Sequence, residues 1–244
     1  GRATGAQGAC MAPWGRAVLA ASIWVLGAPA VALGLARRTP GARAGMAASA
    51  TAAAAEGGQE APAARPSLVV FDLDNCVWWP ELYMMDSGGF RRDSRGRVKN
   101  RGGEVIEVYP GAEHALREAR SMGLTVGIAS RTHQDRWARE VLSEYRIDDE
   151  PLAAFFHQEL IQIRGGSKKR HFEFLQEASG VPYDEMLFFD DMRENIRSVH
   201  ALGVVTVHTP NGMTEEHWTR GLELFASRAA QRGRHRAAAN DGNA

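Results

Sequence analysis

The sequence predicts an α/β domain over residues 67–226 of a 244-residue chain, a parallel sheet covered by helices. Three observations predict it. Short continuous apolar runs recur, the first from Leu68 to Phe71, each suited to a strand buried on both faces. Helix-length segments alternate with these runs, and that alternation implies parallel strands. Acidic or hydroxyl residues directly follow three of the runs, at the carboxyl ends where such sheets bind ligands.

The elements follow in order. Leu68–Phe71 is the first strand, and Gly111–Met122 is a helix with Pro110 before it and Gly123 as its stop. Leu124–Ala129 is a strand, Gln134–Tyr145 a helix and Phe155–His157 a brief strand. Ser167–Ala178 is a helix with Ser167 as N-cap and Gly180 beyond its end. Met186–Phe189 is a strand, Arg193–Ala201 a helix and Val204–Val207 a strand. Thr214–Phe225 closes the domain as a helix, with Glu215-Glu216 in its first turn. The stretch from Trp78 to Tyr109 breaks the alternation. Asp93-Ser94-Arg95-Gly96 and Arg101-Gly102-Gly103 lie between short β-compatible pieces, which predicts a polar hairpin flap after the first strand. A lid over the carboxyl edge is its functional reading. Trp78, Trp79 and Tyr83 precede it and read as packing residues more than as lining of a pocket mouth. The fold class is therefore a Rossmann-like three-layer parallel sheet with a small flap and no large cap domain.

The composition is 44% hydrophobic and 24% charged, with a formal net charge of zero, ordinary for a globular chain of one or two domains. Lys and Arg are scattered apart from Arg91-Arg92, Lys168-Lys169-Arg170 and the segment Arg228 to Arg236. These read as solvated faces, so no nucleic-acid partner is expected. The cysteines are Cys10 and Cys76, and with Cys10 in a leader there is no disulfide framework.

Residues 1–66 read as that leader. Ala17 to Ala36 is an uncharged run of apolar and small residues, preceded by Arg16 and closed by Arg37-Arg38, as in a secretory-type signal. An uncleaved membrane anchor is the rival, and the membrane is a partner only in that case. Residues 37–66 are rich in Ala, Arg, Gly and Pro, and their basic start resembles a transit peptide. Together they suggest an address to a plastid or the secretory entry. A low-complexity linker, or translation starting at Met46 in a cytoplasmic protein, is the alternative. The initial Gly suggests that residues 1–10 are upstream translation from an incomplete gene model. Residues 227–244, rich in Ala and Arg, read as a disordered tail.

The residues after the strands carry the chemistry. Asp72 and Asp74, two apart, share a side of an extended chain. Asp190 and Asp191 follow a second strand. Four carboxylates converging in a desolvated site repel, and a hard cation such as Mg²⁺ resolves this. A carboxylate can attack phosphorus to form an aspartyl phosphate, and a second can protonate the leaving oxygen and then deprotonate water. Ser130 supplies a hydroxyl, and Lys168 a charge at the start of its helix.

At this point the residues resemble the haloacid dehalogenase-like superfamily. The motifs are Asp72-Leu73-Asp74 with Trp78, Ala129-Ser130-Arg131-Thr132, Gly166-Ser167-Lys168 with His171-Phe172, and Phe188-Phe189-Asp190-Asp191 with Asn195-Ile196. The spacing is most similar to the eukaryotic magnesium-dependent phosphatase 1 type. The resemblance implies Asp72 as nucleophile and metal ligand, and Asp74 as general acid/base lending its backbone carbonyl to the metal. It implies Asp191 as metal ligand supported by Asp190, and Ser130, Arg131 and Lys168 as binders of the phosphoryl group. Cys76 stands where many relatives carry Thr, and no Cys-X5-Arg loop follows to make it a nucleophile. His133, His157 and His171 show no ligand spacing and read as structural or exposed.

The expectation is a magnesium-dependent phosphatase acting on phosphate monoesters. The resemblance implies phosphotyrosine-like or sugar and fructosamine phosphates, on small molecules or phosphoproteins. A monomer is expected. A phosphotransferase, a domain acting in acyl-chain loading and a non-catalytic phosphate-binding module on the same fold are the alternatives.

Overall fold

The computed structural model describes residues 63–241, so residues 1–62 of the expected leader lie outside the described residues. The elements are β1 (Leu68–Phe71), β2 (Trp78–Trp79), β3 (Arg91–Arg92), β4 (Val98–Lys99), β5 (Val105–Val108), α1 (Pro110–Ser121), β6 (Thr125–Ser130), α2 (Asp135–Glu144), β7 (Arg146–Ile147), β8 (Glu150–Pro151), β9 (Ile161–Ile163), α3 (Lys168–Ser179), β10 (Met186–Asp190), α4 (Arg193–His200), β11 (Val205–His208) and α5 (Glu215–Asp241). The main sheet has the order β11-β10-β1-β6-β9 with every pairing parallel.

The continuous apolar runs have a direct cause. Along β1, Val69 and Phe71 enter one core while Leu68 and Val70 enter the other. The first core holds Ala112, Ala115 and Leu116 of α1, Val141 and Leu142 of α2, and Trp218 and Phe225 of α5. The second holds Phe172 and Leu175 of α3 and Val199 of α4. Each fully buried side chain of this kind contributes about 1.5–3 kcal/mol. Phe71 and Phe189 stack across the strand pair with centroids 5.1 Å apart, so the two central strands share one aromatic layer.

Topology places the site. From β1 the chain steps to β6 and β9 on one side, then crosses back to β10 and β11 on the other. The direction of winding reverses at β1, and the crevice beyond its carboxyl end is the ligand position of such sheets. Phe71 pairs with Phe189 on one side and Ile128 on the other. One residue further on, Asp72 stands level with Asp190 and Ala129.

Three sequence expectations need correction. Phe155–His157 is not a strand: a 3₁₀ turn spans Leu152–Phe155, and the strand beside β6 is β9. Phe155 and Phe156 both enter the same core, whereas successive residues of a strand face opposite ways. The closing helix does not stop at Phe225. α5 continues to Asp241 through the expected tail, and Arg228 donates to the Val204 carbonyl while Arg232 pairs with Asp184. The segment from Trp78 to Val108 is also more than a polar hairpin. It forms a four-stranded antiparallel sheet, β2-β5-β4-β3, with Phe90, Val98 and Ile106 fully or almost fully buried. This small sheet is tied to α2: Glu140 accepts from Gly89 and Phe90 N–H, Glu144 accepts from Arg92 N–H, and Trp137 meets Phe90 edge-on. Among the described residues no helix is long and apolar enough to cross a membrane.

The helix ends follow their local chemistry. Pro110 opens α1, where its missing N–H is not needed. The Ser167 side chain accepts from Arg170 N–H, and Gly180 closes α3 at φ +68°. Gly111 is required by close approach, because a Cβ there would overlap the backbone of Met213 and Thr214 where the chain enters α5. Gly111→Ala is therefore expected to lower stability by about 1–3 kcal/mol, read as a lower urea midpoint at unchanged slope.

Candidate active site

The centre of the site is a buried ammonium group. Lys168, the first residue of α3, has no exposed side-chain surface. Its Nζ lies 2.8 Å from Asp72 Oδ1 and 2.9 Å from Asp190 Oδ2, and donates also to the Ala129 carbonyl. Three donors meet three acceptors, one at the end of each of β1, β10 and β6. A cation at a helix N-terminus opposes the helix dipole, and two carboxylates offset this. Burial works against the Lys168 charge, but Asp72 and Asp190 outweigh it and hold its pKa above the ordinary lysine value.

Asp74 is held on a separate arm. Asn75 adopts φ +56°, and the N–H groups of Cys76, Val77 and Trp78 all return to the Leu73 carbonyl. That tight loop turns Trp78 back so that its Nε1 donates to Asp74 Oδ1 at 2.7 Å, joined by Leu82 N–H at 3.2 Å. Burial raises the Asp74 pKa despite these donors, which favours a carboxyl able to carry a proton. Cys76 is fully buried, accepts from Thr209 Oγ1 at 3.5 Å and lies 3.6 Å from the Phe189 carbonyl. Burial pushes its thiol pKa well up, which disfavours the thiolate.

Ser130 ends β6, and its Oγ accepts from Thr132 N–H at 3.3 Å, which leaves the hydroxyl proton free. His171 is buried, and its Nε2 faces the Ser130 and Arg164 carbonyls at 3.0 and 2.9 Å. Two carbonyls require a proton on that nitrogen. His171 thus ties the first turn of α3, and Lys168 with it, to the end of β6. Arg131 and Asn195 line the same cleft as Asp72, Asp74 and Asp191, a space of about 610 Å³. Tyr83, 67% exposed, and Met192, 45% exposed, form its apolar lip.

The charge balance bears on a metal. Carboxylate oxygens of Asp72, Asp190 and Asp191 lie within 4.8 Å of one another. Three carboxylates against the single Lys168 ammonium leave −3 + 1 = −2. Asp190 is already engaged, accepting from Lys168, Met192 N–H and Asn195. Asp72 and Asp191 remain as carboxylates open to a cation, and an ion of charge +2 brings the sum to zero. This donor set is all oxygen and fits a hard divalent ion. Without one, burial pushes Asp72 up to about 7; the Lys168 charge opposes this and the Asp190 charge adds to it. Burial, then the charges of Asp190 and Glu81, push Asp191 up to about 6.

The structure brings Asp72, Asp74, Ser130, Arg131, Lys168, Asp190 and Asp191 to one edge of the sheet. Lys168, which its sequence context alone leaves as a solvated helix lysine, is fully buried among them. Sequence reasoning put Asn195 only in a motif and missed its place in the site. Its signal was its place five residues after Asp190, in the first turn of the next helix. Of the aromatic residues, Trp78 is fully buried and bonds Asp74, while Tyr83 lines the cleft.

A five-stranded parallel sheet with paired acids at two strand ends around one buried lysine defines a haloacid dehalogenase-like α/β protein. Residues 64–228 match the family described as Acid Phosphatase. Human magnesium-dependent phosphatase 1 is 37% identical over 163 residues, covering 66% of this chain and 88% of that protein. A haloacid dehalogenase-like hydrolase superfamily protein of Schizosaccharomyces pombe is 32% identical over 145 residues, covering 57% and 83%. A solved haloacid dehalogenase-like family hydrolase from Xanthomonas campestris shares 13% identity, with 70% and 98% covered and a TM-score of 0.47, too slight a likeness to argue from. The chain belongs to this acid phosphatase family, in the branch of magnesium-dependent phosphatase 1.

The raised carboxyl at Asp191 sets a pH dependence. An acid whose pKa is higher folded than unfolded binds its proton more tightly when folded. Folding is therefore least opposed below the unfolded value of about 4, and stability is lost as pH rises to about 6. In chelator, the stability of Asp191→Asn relative to the native chain is expected to increase over that window. Urea titrations at successive pH values measure it, and a difference that stays flat would contradict the charge balance.

Proposed function

We propose that this chain is a magnesium-dependent phosphatase that hydrolyses phosphate monoesters through an aspartyl phosphate on Asp72. The observation that supports it best is the shared buried ammonium. Lys168 holds one oxygen of Asp72 and leaves the other free, at the switch point of the sheet. A nucleophile needs this fixed orientation more than it needs basicity.

The steps use the residues in turn. The free Asp72 oxygen forms a bond to phosphorus as the bond from phosphorus to the leaving oxygen breaks. Asp74 gives its proton to that leaving oxygen. Water then attacks phosphorus, Asp74 takes the water's proton, and the bond between phosphorus and Asp72 breaks to release phosphate. Ser130 donates its hydroxyl to the phosphoryl group, and Arg131 presents a guanidinium from the cleft wall. Lys168, with its three N–H groups committed, acts as a fixed charge. Asp72 and Asp191 would hold Mg²⁺ with the backbone carbonyl of Asp74. When bound, the ion supplies charge neutralisation to the phosphoryl oxygens.

The open cleft admits large leaving groups. Its apolar lip of Tyr83 and Met192 favours a leaving group with a flat apolar face, as in phosphotyrosine. Sugar and fructosamine phosphates are the natural comparison.

The test is release of phosphate from a generic aryl phosphate by the purified chain, with and without Mg²⁺. Activity is expected only with the metal, and Asp72→Asn is expected to lose more than about 10³-fold in kcat. Equal activity in the two proteins would sink the mechanism. Inactivity on a whole panel of monoesters points to a binding module, and delivery of phosphate to an added alcohol points to a phosphotransferase.

A further inference from the structure

Asn195 sits in the first turn of α4 and is 3% exposed. Its Nδ2 donates to both oxygens of Asp190, at 2.9 and 3.0 Å, and its Oδ1 accepts from Arg131 Nη1 at 3.1 Å. The orientation of this amide is forced. A carboxylate of Asp190 can only accept, and a guanidinium can only donate. A side chain of this length must therefore present a donor to one neighbour and an acceptor to the other. A carboxylate at position 195 would face Asp190 with like charge, and an apolar group would leave both oxygens of a buried acid with fewer partners.

Arg131 depends on this contact. It is exposed, and its only side-chain hydrogen bond among the described residues is to Asn195. An arginine so placed is free to rotate into solvent unless one of its nitrogens is held. The held nitrogen leaves the remaining donors for the cleft that Arg131 and Asn195 both line. On its other side Asn195 reaches Asp190, which bonds Lys168, which bonds Asp72. A continuous chain of charge-assisted bonds thus runs from the cleft wall to the nucleophile.

We infer that Asn195 is a positioning residue: its amide sets the Arg131 guanidinium at the cleft wall and joins it to the buried Asp190–Lys168 pair. Phosphoryl binding and support of Asp72 are then one rigid unit. The inference rests on the phosphatase reading above, in which Arg131 meets the phosphoryl group, and it names the group that aims it.

A double-mutant cycle on the full chain tests it, with the native protein, Asn195→Ala, Arg131→Ala and the double variant. Two measurements are made with Mg²⁺ present: kinetics (kcat and KM) on an aryl phosphate, and affinity for inorganic phosphate by calorimetry. Each single variant is expected to lower kcat/KM by about tenfold to a hundredfold and to weaken phosphate binding. The double variant is expected to fall no more than about threefold below the worse single variant, because both remove one interaction. Asn195→Gln, whose amide can still donate to Asp190 and accept from Arg131, is expected to recover part of the loss. If Asn195→Ala does not fold, the cycle is run with Asn195→Leu, which keeps the side-chain shape and removes both bonds. Losses that multiply, or native phosphate affinity in the Asn195 variant, would overturn the inference. A native chain that binds phosphate without turnover refutes the phosphatase reading, while the binding cycle still reads the coupling. A native chain that does neither overturns both.

Discussion

One ammonium group organises this molecule. Lys168 Nζ joins the ends of three adjacent strands, taking one acceptor from each. Charges this deeply buried are tolerated only when the geometry is good and the partners are complete. Everything around Lys168 supplies that completeness. Ser167 caps its helix, His171 ties the first turn to the Ser130 carbonyl, and Asn195 and Met192 N–H satisfy the Asp190 oxygen that Lys168 does not reach. The position of α3 against β6 is thereby set by polar contacts at its start and by Phe172 and Leu175 further along.

The parallel sheet was legible because both faces of its strands are buried, and that leaves an uninterrupted apolar run. Leu68 to Phe71 and Met186 to Phe189 could be read as strands with no other help. The acids were legible for a related reason: they stand directly after those runs, where a hydrophobic sequence gives way to the ligand edge. What could not be read are the features that need two distant segments. Phe155 and Phe156 form an apolar pair in sequence whether they lie in a strand or on a turn, and only the core they share decides. The apolar content of the insert, Phe90, Val98 and Ile106, is spaced too widely to show a period. Asn195 shows locally only its place five residues after Asp190, and its second partner is 64 residues away. The helix beyond Phe225 is built on contacts made by Arg228 and Arg232 rather than by bulky apolar side chains.

The site also shows how opposing demands are separated in space. Asp72 and Asp190 lean on one shared cation, Asp191 stands beside them without one, and Asp74 is kept on an arm bonded by Trp78 and Leu82. The result is four neighbouring carboxyl groups in three different settings. Burial raises Asp72, Asp74 and Asp191 by different routes and against different donors. In the mechanism proposed above, groups of one chemical kind then serve as nucleophile, proton carrier and ligand.

The small antiparallel sheet leaves and rejoins the main chain at a single place, where Trp78 of β2 pairs with Val108 of β5. Its far end leans on α2 through Glu140 and Glu144 rather than on the catalytic strands. Such a segment is built like a drawer: its length or outer face can change while its two runners stay in register. Changes in the insert, which sends Glu81 and Tyr83 to the cleft, can therefore alter what is admitted while the strand ends beneath stay unaltered.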